Sequence, residues 1–196
     1  MNGPAPWAGE LEARLGRRVE AMHLLPGGAS KEAWAIETDE GGLLVRRALG
    51  GVIHAATLTL EHEFEVLQAA EETGVKVPHP VAYLGELGGR EAFAMEFVEG
   101  ETIGRRIVRD PPAGLETQLA DELAKIHAIP PERLPFLRSA DVVTRFEREL
   151  DSVGDPHPAL EYGLWWLREH RPDPLPDVVT HGDFRIGNVV VSEGGL

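Results

Sequence analysis

Apolar positions change their period near the middle of the chain, and the change separates a strand-rich first half from a helical second half. Leu11, Leu15 and Val19 recur at helical spacing and predict a short helix over 7–17. Three strand-like runs follow, Val19–Leu25, Glu32–Glu37 and Leu43–Leu49. The turns between them are Pro26-Gly27-Gly28-Ala29-Ser30 and Asp39-Glu40-Gly41-Gly42, so the three read as an antiparallel meander. A helix is expected over Thr57–Thr73. Thr57 or Thr59 can cap it, Glu61 and Glu63 suit the positive end of its dipole, and Gly74 suits its exit. Leu60, Phe64 and Leu67 form its apolar stripe. Proline geometry keeps Val77-Pro78-His79-Pro80 extended, and Val81–Leu87 with Ala92–Val98 form a hairpin across Gly88-Gly89.

Beyond Gly100 the helical period takes over. Leu115, Leu119, Leu123 and Ile126 share one helix face, which Pro130-Pro131 ends. Helices are also expected over Ala140–Leu150 and Ala159–His170, with Asp155-Pro156-His157-Pro158 between them. Pro172, Pro174 and Pro176 make a stiff connector to the last segment. The expected class is α+β: five antiparallel strands and a helix over 1–98, then a mainly helical part over 99–196.

Composition narrows the chemistry. The chain has 196 residues, 42% of them hydrophobic, enough to bury an ordinary core. It has no cysteine, which rules out disulfides, thiolate metal sites and cysteine nucleophiles. The formal net charge of −14 argues against nucleic acid or an anionic membrane as a partner. Acidity of this kind serves solubility first, and it also suits a cationic small molecule. No secretory signal and no membrane-spanning run is expected, and a cytoplasmic location follows.

The densest chemical signal is His181-Gly182-Asp183-Phe184-Arg185-Ile186-Gly187-Asn188, which fits H-x-D-x-x-x-x-N. This spacing lets one carboxylate, Asp183, face an attacking hydroxyl. A carboxamide a short loop later, Asn188, reaches back to a metal on nucleotide phosphates. Val178-Val179 before the loop and Val189-Val190-Val191 after it are expected to anchor both ends in sheet. His181 is expected to be structural, packing beneath the loop and bonding backbone. His127 is expected to pack within its helix, and Trp165 and Trp166 to anchor the core of the helical half. His54, His62, His79, His157 and His170 lack metal-ligand spacing.

Together, Leu25-Pro26-Gly27-Gly28-Ala29-Ser30, Leu44-Val45-Arg46-Arg47, Val77-Pro78, Met95-Glu96-Phe97-Val98-Glu99-Gly100, Leu123–His127, Trp166-Leu167 and the His181–Asn188 loop carry a resemblance. It is to the aminoglycoside phosphotransferase and choline-kinase-like family, including the kinase-like domains fused to acyl-CoA dehydrogenases. The resemblance runs from Leu24 to Val191 and implies a protein-kinase-like two-lobe fold with an incomplete C-lobe. It implies transfer of the γ-phosphoryl group of ATP or GTP, with Mg²⁺, to a hydroxyl of a small molecule.

Under that resemblance Gly27, Gly28 and Ser30 cover the nucleotide, although an ordinary hairpin turn explains them too. Arg46 on the third strand pairs with Glu63 on the following helix to place phosphates, and Arg47 takes that place if the register slips by one. Arg46 is favoured because it shares a face with Leu44. Met95, Glu96 and Val98 form the adenine-binding hinge, the Glu96 carbonyl and Val98 N–H through backbone, or else a buried strand end. Lys31 stands where the family has asparagine, and either adds a phosphate contact or points to solvent. The family's second metal-binding aspartate has no counterpart up to Leu196, so the chain is expected to be a C-terminally truncated piece. The rival reading is a non-catalytic, kinase-shaped module that binds a nucleotide or a partner. The acceptor and the oligomeric state are left open.

Overall fold

The computed structural model describes residues 5–26, 31–49, 57–137, 141–173 and 175–196. A short helix, α1 (Ala8–Leu15), leads into three strands, β1 (Val19–Leu24), β2 (Lys31–Thr38) and β3 (Gly41–Ala48). Helix α2 (Leu60–Glu72) follows, then β4 (Pro80–Leu87) and β5 (Arg90–Glu96). The five strands form one antiparallel sheet in the order β1-β2-β3-β5-β4, as the meander and hairpin patterns predict.

Period-two alternation sends the two sides of this sheet to two different helices. On one side Leu43 and Val45 join Trp7 and Leu11 from the α1 region, with Met22, Ile36, Leu84 and Leu87, in the largest apolar cluster. On the other, Leu60 and Phe64 of α2 pack with Phe93 and Met95, flanked by Leu44, Ala48 and Leu67. The capping expectation resolves to Thr59, whose hydroxyl accepts the His62 N–H at 3.1 Å.

The same alternation sorts the two arginines of β3. Arg47 lies on the α1 side and is buried. Its guanidinium donates to the Leu87 and Gly88 carbonyls at 2.9 Å each and to Glu32 at 3.0 Å, and lies over the Trp7 ring. Glu32 is also bonded by Trp34 and Arg90, each at 3.0 Å. Burial pushes the Glu32 carboxyl up, but these hydrogen bonds and cations together hold it below the ordinary carboxylate range. Arg46 faces the α2 side.

The second half contains α3 (Gly104–Arg109), α4 (Leu115–His127), α5 (Val142–Val153) and α6 (Pro158–Glu169). The sequence pattern misses α3, which is too short for a periodic signal to emerge. α4 carries the expected apolar positions and ends before Pro130, yet its most buried residues are Leu115, Glu122 and Ile126. The Glu122 carboxylate accepts the Lys76 N–H and the Lys125 ammonium, each at 2.7 Å, and so stitches the entry to β4 onto α4. A third apolar cluster crosses the expected boundary at residue 98. Ala69, Ala70 and Val75, from α2 and its exit, pack with Ile126, Ile129, Leu134 and Val179.

Three expectations are corrected here. Trp165 and Trp166 are not core anchors. They are 49% and 46% exposed, because α5 and α6 pack on one another and neither carries a buried residue. His127 is exposed on the outer side of α4, not packed within it. The valines flanking the His181–Asn188 loop belong to no sheet. Val179 is held by the third cluster, and Val191 forms an isolated bridge with Glu101, with N–H···O distances of 2.8 and 3.0 Å. Gly100 permits that bridge, since a Cβ there would sit 2.6 Å from Val190 Cγ1 and 2.9 Å from the Val191 carbonyl oxygen.

Two stability tests follow from this packing. Arg47→Met removes one partner of a buried ion pair and should lower the unfolding free energy by about 3 kcal/mol. Arg46→Met, at a half-exposed position, should cost less than about 1 kcal/mol. Urea titration of the two variants distinguishes the two sides of β3, and equal losses would contradict the assignment. Gly100→Ala should destabilise by about 1–3 kcal/mol through overpacking against the 190–191 segment, read as a lowered midpoint in thermal unfolding.

Candidate active site

The loop is built from both ends inward. Val179 is buried, and Phe184 packs on the same cluster that holds the C-terminal half of α2. The His181 ring stands edge-on to Phe184, with centroids 5.6 Å apart. Its Nδ1 accepts the Asp183 N–H at 3.3 Å, the expected backbone bond, but His181 is exposed and not packed beneath the loop as expected. Gly182 between them has φ +78°, a conformation that a side chain at this turn would strain. A 3-10 turn over Ile186–Asn188 then reverses the chain, closed by the Asn188 N–H on the Arg185 carbonyl at 2.9 Å.

That reversal places Asn188 against Asp183, five residues away. The Asn188 Nδ2 donates to the Asp183 carbonyl and to its Oδ2, each at 2.8 Å. Arg185 Nε lies 3.1 Å from both carboxylate oxygens. The hydrogen bond from Asn188, then that from Arg185 and its charge, hold the Asp183 carboxyl below the ordinary range. Asp183 is therefore an exposed, ionised acceptor at neutral pH, with its orientation fixed on both sides. The motif spacing does not mark Arg185. A cation two residues after the acid was the available signal.

Across the first half, Glu63 in the first turn of α2 meets two cations. Its Oε2 lies 3.5 Å from Arg46 Nη2, and its Oε1 is bonded by Lys31 Nζ. Of the two courses expected of Lys31, the structure excludes the one that points to solvent. It is buried on Glu63 and donates to the Leu58 carbonyl at 3.2 Å.

At the end of β5, Met95 is buried behind α2, while Glu96 and Val98 are exposed. The Glu96 and Phe97 N–H groups are used, on the carbonyls of His79 at 2.8 Å and Gly42 at 3.1 Å. The Val98 N–H makes no hydrogen bond among the described residues. Gly27, Gly28 and Ser30 lie outside the described residues.

Asn188 can serve a hard cation, because both of its side-chain hydrogen bonds among the described residues run through Nδ2 and leave the amide oxygen for a metal. Among the described residues no group of three or more His, Asp or Glu converges as a metal cage.

The sequence profile of the phosphotransferase enzyme family matches residues 21–196, nearly the whole chain. The chain belongs to that family. Curated relatives include acyl-CoA dehydrogenase family member 11 of Rattus norvegicus, 25% identical over 194 residues that cover 89% of this chain and 24% of that protein. Family member 10 of Mus musculus is 25% identical over 186 residues, covering 83% and 17%. The chain therefore spans about a quarter or less of these relatives.

Two solved structures share the fold, which is kinase-like. One is spectinomycin phosphotransferase in complex with ADP and spectinomycin, with TM-score 0.63 and 18% identity, over 94% of this chain and 64% of that one. The other is a Ralstonia eutropha protein assigned as an aminoglycoside phosphotransferase, with TM-score 0.70 and 20% identity, over 93% and 59%.

The hydrogen bonds at Asp183 predict a pH response. In the folded protein this carboxyl should titrate below its ordinary value in a ¹³C-detected NMR titration. Asn188→Ala should move the midpoint upward, toward that of an unpaired aspartate. Because the folded value is the depressed one, the stability this group contributes is present above the unfolded value and is lost as pH falls through the folded one. A midpoint unmoved by Asn188→Ala would show that the bond does not hold the carboxylate ionised.

Proposed function

We propose that this protein transfers the γ-phosphoryl group of ATP or GTP to a hydroxyl of a small molecule, with a nucleotide-binding lobe over 1–98 and an acceptor-binding lobe over 99–196. The observation that carries the reading is the contact of Asp183 with Asn188 beside Arg185. Phosphoryl transfer has a loose transition state, so the protein's task is mainly orientation and charge stabilisation. Asp183 is ionised, exposed and fixed in direction, which suits it to hold the acceptor hydroxyl and take its proton late.

Asn188 would contribute its amide oxygen to Mg²⁺, whose bound form neutralises phosphate charge. Arg185 offers further positive charge beside the reacting groups. Arg46 would bind phosphate from the sheet side, with Glu63 orienting it. The exposed Val98, whose N–H makes no hydrogen bond among the described residues, supports an adenine edge at the end of β5, alongside the Glu96 carbonyl and with Met95 behind. The net charge of −14 favours an acceptor that carries an amine, and disfavours nucleic acid or an anionic bilayer as a partner. No helix among the described residues is long and apolar enough to cross a membrane. A cytoplasmic enzyme, where the triphosphate is plentiful, fits this chemistry.

Asp183→Ala should lower turnover of a hydroxylated amine by about 10²–10⁴-fold. Mg·ATP binding, followed by calorimetry, should be retained. Undiminished turnover in that variant would sink the catalytic assignment. Calorimetry of the parent protein with and without Mg²⁺ separates the non-catalytic alternative. Metal-dependent tightening supports the enzyme, and binding indifferent to metal supports a module that only binds.

A further inference from the structure

Lys31 is an unusual residue to find inside a sheet–helix interface. Its side chain is 4% exposed, and an ammonium so enclosed is stable only when paired. It lies on the same side of the sheet as Arg46. The ladder sets Arg46 opposite Ala33, and Lys31 is two residues from Ala33 on β2. Glu63 therefore stands between two cations and divides its oxygens: Oε1 is hydrogen-bonded by Lys31, while Oε2 is 3.5 Å from Arg46, beyond a good hydrogen bond. The Arg46 side chain is 38% exposed and makes no hydrogen bond among the described residues. The buried cation hydrogen-bonds the glutamate, whereas the exposed one only ion-pairs with it at 3.5 Å and makes no side-chain hydrogen bond among the described residues.

We propose that Lys31 is a positioning residue for phosphate binding. By occupying Glu63 from within the sheet, it ties the first turn of α2 to β2 and keeps Arg46 available to an anionic ligand. The anchor is doubled by the bond to the Leu58 carbonyl, just ahead of the Thr59 cap, so Lys31 fixes both the start of α2 and its first-turn carboxylate. Without Lys31, Arg46 is the only cationic partner left to Glu63 among the described residues, and an incoming phosphate must compete with that carboxylate for the guanidinium. Lys31 acts through Glu63, not by touching phosphate. The inference rests on the proposed phosphate role of Arg46.

A double-mutant cycle on the full chain tests it, with the Mg·ATP dissociation constant measured by calorimetry and folding checked by circular dichroism. Lys31→Met should weaken binding about tenfold, and Lys31→Arg should stay within about twofold of the parent. In a Glu63→Gln background, Lys31→Met should change affinity by less than about twofold, because no carboxylate remains to capture Arg46. Equal losses in both backgrounds would overturn the proposal, since Lys31 would then not act through Glu63. An unchanged affinity in Lys31→Met would overturn it as well, leaving only a structural anchor. If Lys31→Met does not fold, Lys31→Gln, which keeps a donor for Leu58, is read in its place against the same two criteria. Arg46→Met marks the other failure: if it leaves Mg·ATP affinity unchanged, the phosphate site itself is wrongly placed, and this inference falls with it.

Discussion

Helix α2 is held at both ends, and the candidate chemistry depends on that double attachment. Its N-terminal half lies on the sheet through Leu60 and Phe64. Its C-terminal half, through Ala69 and Ala70, lies in the cluster that also contains Val179 and, at its edge, Phe184. Glu63 is carried by the first contact, and the Asp183 loop is seated by the second. One rigid element thus links the acidic residue that faces Arg46 and Lys31 to the segment that presents the proposed catalytic carboxylate. Small residues at 69 and 70 make this possible, because they let the helix backbone approach the second cluster closely.

The two parts of the site are built by different physics. Around Asp183 the order is local: a positive-φ glycine, a 3-10 turn and three side chains within six residues fix one another, while exposure to water remains high. Charge there is organised by hydrogen bonds, and burial contributes little. Around Glu63 the order is long-range. Residues from β2, β3 and α2 converge on a partly enclosed carboxylate, and desolvation strengthens every charge contact among them. A loop of the first kind can keep its shape while its surroundings vary. The second kind exists only when sheet and helix are docked.

The α5–α6 pair shows the opposite condition. The two helices are joined by the Arg168–Glu147 ion pair, and Tyr162, Trp165 and Phe146 remain largely in solvent. Helix propensity is satisfied there without a deep core, whereas the sheet is covered on both sides. This helix pair is therefore less tightly packed than the sheet, and local opening should begin in it.

The sequence alone determined the strand meander, the hairpin, the presence of α2 and α4, and the placing of Asp183 and Asn188 on one short loop. Each is set by short-range periodicity, by turn chemistry or by a spacing of a few residues. Tertiary structure decided what periodicity cannot carry. The shared face with Leu44 favours Arg46 in the sequence, but the packing of α1 and α2 on opposite sides of β3 is what makes Arg47 a buried strut and leaves Arg46 half-exposed. Lys31 reads as a surface lysine until α2 closes over it. Trp165 and Trp166 read as core until the helices that bear them are seen to bury no side of themselves. In each case the deciding quantity is which surface loses its water, and that depends on residues far away along the chain.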